Sequence, residues 1–112
     1  MNNFEFFSLI FLVLNNEWDD SKDENLGQFL SEMNPYFWQT EDSADPAVYS
    51  EFKDFMKNKK IGDDFGYSLV NEYLETITSF PTIKNCFSAI DKEYWLQSAK
   101  SLLNQPHKGG NK

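Results

Sequence analysis

The stretch Phe4–Leu14, FEFFSLIFLVL, limits the possible folds of this chain more than any other segment. At helical spacing, Phe4, Phe7, Ile10, Phe11 and Leu14 lie on one stripe, and Phe6, Leu9 and Val13 lie on another. A helix that is apolar all round belongs at the centre of a domain. Periodicity alone leaves a buried strand open, although the length favours a helix. Eleven residues fall short of the roughly 20 that a membrane-spanning helix needs. The run carries Glu5, follows no positively charged region, and leads into NNEWDD with no small-residue cleavage site. It is therefore expected to be a buried core segment, with neither a secretion signal nor a membrane span.

Helical patterns follow it. Residues 15–22 (NNEWDDSK) form a polar break, with Asp20 or Ser21 as a candidate N-cap. Leu26, Phe29, Leu30 and Met33 mark a second helix, with Asp23 and Glu24 in its first turn and Asn34-Pro35 at its end. Residues 34–45 form a loop holding three consecutive aromatics, Tyr36, Phe37 and Trp38. Asp45-Pro46 is the clearest helix start, an acidic N-cap followed by proline at the first helical position. Val48, Tyr49, Phe52, Phe55 and Met56 form its stripe, lysines crowd its end, and Gly62 follows. Asp63 or Asp64 caps the next helix, whose stripe is Gly66, Val70, Tyr73, Leu74 and Ile77. Ile83, Cys86, Phe87 and Ile90 continue the pattern. Asp91 caps a last helix carrying Tyr94, Trp95, Ala99, Leu102 and Leu103. The expected fold is all-α: a compact bundle of five to six short helices, one domain over residues 1–104, with a flexible tail over 105–112.

Charge is unevenly distributed. Residues 1–52 hold 11 acids and one lysine, a net of −10, whereas residues 53–112 hold seven acids and nine lysines, a net of +2. Such a field repels phosphates, so no nucleic-acid partner is expected. It either solvates one face or steers a basic partner. The chain has no arginine, so bidentate gripping of carboxylate or phosphate by a guanidinium is unavailable to it.

Catalytic patterns are missing. The single histidine, His107, lies in the tail, and the single cysteine, Cys86, falls on an apolar stripe as a packed thiol. One cysteine excludes a disulfide framework and a Cys-x-x-Cys metal site, and a lone thiol suits the reducing cytoplasm. A calcium loop starting at Asp19 fails at its sixth position, Glu24 in place of glycine, and at its twelfth, Leu30 in place of glutamate. Adjacent carboxylates in polar loops do not make the cleft that acid–base catalysis requires. Neither catalytic residues, metal ligands nor a cofactor are expected.

The segment Ser31–Phe52 contains Asn34-Pro35, an aromatic, and Ser43-Ala44-Asp45-Pro46-Ala47-x-Tyr49 before Phe52. It resembles a pattern in small acidic bacterial proteins of unassigned function. In size, acidity and helicity the chain is similar to immunity proteins of bacterial toxin systems. That similarity implies a stoichiometric inhibitor that covers the active site of a basic toxin or nuclease. The expected contact set is then Trp18, Asp19, Asp20, Tyr36, Trp38, Glu41 and Asp42, aromatics as anchors and acids as steering groups. The alternative is a structural or regulatory helical module that self-associates, for example as a homodimer, through apolar surface left over from residues 4–14.

Overall fold

The structure, a computed structural model, describes residues 1–77, 80 and 82–104. It is all-α, with six helices and no strand among the described residues. In chain order these are α1 (Asn3–Ser21), α2 (Glu24–Met33), α3 (Pro46–Met56), α4 (Tyr67–Glu75), α5 (Ile83–Ser88) and α6 (Lys92–Leu103). The expected flexible tail, with His107, lies outside the described residues. None of the helices among the described residues is long and apolar enough to cross a membrane.

The apolar run resolves as helix. With 19 residues, α1 is about 28 Å long at 1.5 Å per residue. That matches the whole molecule, whose principal extents are 30 × 29 × 29 Å. Phe4, Phe6, Phe7, Leu9, Ile10, Val13 and Leu14 are all buried. The helix packs against α2, α3, α5 and α6. On one side of it Phe7 meets Tyr49 and Phe52, and on the other Phe6 meets Trp95. The surplus apolar surface expected to drive self-association is therefore taken up within one chain, with Phe11 and Leu12 half-buried.

The polar break expected at residues 15–22 is absent, and α1 continues through it. Nothing in NNEWDD stops a helix: no proline or glycine is present, and the change from apolar to polar alters exposure, not backbone. The stop comes at Lys22, whose left-handed backbone (φ 55°) lets its N–H reach the Trp18 carbonyl at 2.8 Å. The cap of α2 is therefore neither Asp20 nor Ser21 but Asp23, which accepts from the Leu26 amide at 2.9 Å. At the other end of α1, Asn2 and Glu5 form a reciprocal capping box.

Two caps are where the sequence puts them. Asp45 accepts from the Ala47 amide ahead of Pro46, and Asp91 accepts from the Tyr94 amide. At α4 the cap is Gly66 rather than Asp63 or Asp64, because the chain turns there with φ +85° beneath the Phe6 ring. A Cβ at this position would stand 2.3 Å from Phe6 Cε1. Asp64 instead organises the turn, accepting from the Gly66 and Ser68 amides and from the Ser68 hydroxyl. Burial alone would raise its pKa, but these donors hold it below the usual aspartate value. Cys86 is half-buried and packs against the core, in keeping with the packed thiol expected. Burial, then Asp23 and Glu17, push that thiol upward, away from the reactive thiolate.

Candidate functional site

The loop between α2 and α3 is a closed and well-braced structure. At its base the Ala44 and Asp45 amides donate to the carbonyls of Asn34 and Glu32, at 3.0 and 2.9 Å. Ser43 is fully buried at its centre, where its hydroxyl donates to the Asp45 carbonyl and accepts from the Tyr49 amide. These bonds replace the periodic ladder that a loop lacks, so the side chains it carries are held in place.

The three consecutive aromatics part company here. Tyr36 is half-buried, edge-on to Phe11 at 6.0 Å, and burial raises its pKa. Phe37 and Trp38 point outward, 61% and 42% exposed, and pack edge to face at 4.8 Å. The Trp38 indole N–H donates to the Ser43 carbonyl at 2.8 Å, which fixes the ring. Of the loop acids, Glu41 is exposed, whereas Asp42 is half-buried and accepts from the Ser43 amide. After burial, the charges of Glu41 and then Asp42 raise the pKa of Tyr49, so their field reaches the start of α3.

Trp18 belongs to an adjoining groove between α1 and α2, of about 200 Å³. Phe11, Asn15 and Trp18 line one wall, and Gly27, Leu30 and Asn34 line the other. The Trp18 indole lies so close over Gly27 that a Cβ there would be 2.7 Å from Nε1. Lys22 also packs on this indole, its ammonium 4.3 Å from the ring centroid. Through Phe11 and Tyr36 the groove runs toward the base of the loop.

The sequence-derived contact set thus divides. Tyr36, Trp38, Glu41 and Asp42 share one loop, and Trp18 joins them through the groove. Asp20 does not, because it lines a separate recess toward α6 with Glu17, Asp91 and Tyr94. Asp19 is exposed, one residue along α1 from Trp18. Phe37 is missing from the set, although it is the most exposed of the large hydrophobic residues described. Nothing in the sequence separates it from its two aromatic neighbours.

The end of α1 carries Glu17, Asp19 and Asp20 with no base in its last turn. Acids there face the negative end of the helix dipole, which disfavours them by about 0.3–1 kcal/mol each when exposed. Helix stability does not account for this charge. Among the described residues, no group of three or more His, Cys, Asp or Glu side chains is arranged to hold a metal ion. The chain matches no family model, no curated protein and no solved structure.

Proposed function

We propose that this chain is an acidic protein-binding domain, an immunity-type inhibitor that acts in the cytoplasm by occluding a basic toxin or nuclease. The observation that carries the reading is the exposed Phe37–Trp38 pair, braced by the Ser43 carbonyl and flanked by Glu41 and Asp42. Rigid aromatics supply desolvated anchor area at little entropic cost, and surrounding acids steer a cationic surface to them. The acids at the end of α1 extend that field at the expense of helix stability. Binding is the role proposed, since Phe37, Trp38 and Glu41 stand together on open surface where a partner can reach them. Self-association is the weaker reading, because the net −10 over residues 1–52 opposes pairing of like surfaces.

The test is affinity capture from the source cell at low and moderate salt, followed by assay of the captured protein's toxicity with and without added chain. The reading requires a basic partner whose toxicity the chain neutralises and whose capture weakens with salt. Recovery of no basic protein, or of one whose toxicity is unchanged, overturns it.

A further inference from the structure

A second cleft, of about 210 Å³, lies on the opposite flank of α2 from the Trp18 groove, between α2, α3 and the end of α4. Phe29, Val48, Ile77 and Phe80 contribute apolar side chains to its lining, Thr76 a hydroxyl, and two carboxylates complete it, Glu32 from α2 and Glu51 from α3. We propose that this cleft is the receptor for a single lysine side chain presented by a partner protein.

Size is the first argument. Small-molecule sites usually occupy about 300 Å³ or more, so this cleft suits one side chain better than a cofactor. The second is the pairing of surfaces. A lysine has an apolar stem and a charged head, and it buries the stem wherever the head can stay solvated or paired. Here the stem would run along the half-buried Val48, Ile77 and Phe80, while the head meets two carboxylates. Those carboxylates come from different helices, and an ammonium with three freely directed donors serves both. The planar fork of a guanidinium is better matched to one carboxylate.

Third, the charge is uncompensated. Ion pairs among the described residues engage Asp54, Glu72 and Glu75, but neither Glu32 nor Glu51. Burial, and after it the charge of Glu51, push the neighbouring Tyr73 hydroxyl well above the ordinary tyrosine value. The cleft also adjoins the base of the aromatic loop, where the Glu32 carbonyl accepts the Asp45 amide. The inference rests on the proposed function only for the source of the lysine.

The cleft is tested by itself with n-butylammonium chloride, which has the stem and head of lysine. It is titrated into the ¹⁵N-labelled chain, with n-butanol and sodium chloride as controls. Saturable amide shifts confined to Phe29, Val48, Glu51 and Ile77, seen with the ammonium alone, are expected. The Glu32→Gln/Glu51→Gln variant should bind about fivefold more weakly, as expected for loss of two partly exposed charge pairs. Glu51→Gln alone should fall between, and it guards against misfolding of the double variant. Shifts matched by sodium chloride, shifts scattered over the acidic surface, or unchanged binding by Glu51→Gln overturn the proposal. If the ammonium binds but no basic protein is captured, the cleft stands and the inhibitor reading falls. If a toxin is captured and neutralised while the ammonium fails to bind, the reverse holds.

Discussion

The two ends of α1 obey opposite rules. At its start, Asn2 and Glu5 exchange hydrogen bonds, Glu5 sits where the helix dipole favours it, and most side chains over the first turns are buried. At its finish, Glu17, Asp19 and Asp20 stand where the dipole disfavours them, and the last turn holds no base. One helix thus has an end whose charge favours it and an end whose charge opposes it. A second division separates the outward Phe37–Trp38 pair from the buried rings of Phe4, Phe6 and Phe7.

That contrast can be broken by substitution. The largest effect is expected from Phe7→Ala, which removes a ring packed on Tyr49 and Phe52. It should cost about 4 kcal/mol in denaturant unfolding, a large share of the roughly 5–15 kcal/mol that holds a domain together. Asn2→Ala should cost about 1 kcal/mol by the same measurement, through loss of the capping box. Asp19→Lys/Asp20→Lys should change sign, stabilising the chain by about 0.5–1 kcal/mol while weakening partner capture. A loss of stability in that variant would mean that both ends are built for the fold. Phe37→Ala should leave stability within about 0.5 kcal/mol while reducing partner affinity about tenfold or more. Unchanged affinity, measured by calorimetry with the captured partner, would remove the aromatic pair from the interface. Charge reversal is best made at Glu41, which is exposed, because Asp42 braces the Ser43 amide. Glu41→Lys should slow association in stopped flow more than it speeds dissociation.

Much of the architecture is legible in the residues. The all-round apolar run specifies a central segment, and Asp45-Pro46 and Asp91 announce helix starts through side chains that can accept from the next turn. Asn2-x-x-Glu5 is an equally local signal for the start of α1 and is readable from the sequence. The extension of α1 through Asn15–Ser21 is harder to read, because polarity reports exposure while only glycine, proline or a competing cap reports termination. The site is the least legible part. Exposure of Phe37 and Trp38 and burial of Tyr36 depend on Ser43, Asn34 and Phe11 meeting across the loop. The lysine cleft depends on Glu32, Glu51 and Ile77 converging from three separate elements. A linear pattern does not encode either arrangement.

The three tryptophans sit in three different surroundings: Trp95 sealed in the core, Trp18 under an ammonium, and Trp38 on the open rim. The molecule therefore contains its own optical reporters. Water around Trp38 should give its emission a long-wavelength component that Trp95 lacks, and acrylamide should quench that component first. Any partner that seats on the loop would shift it to shorter wavelength, so engagement could be followed in solution without attaching a dye.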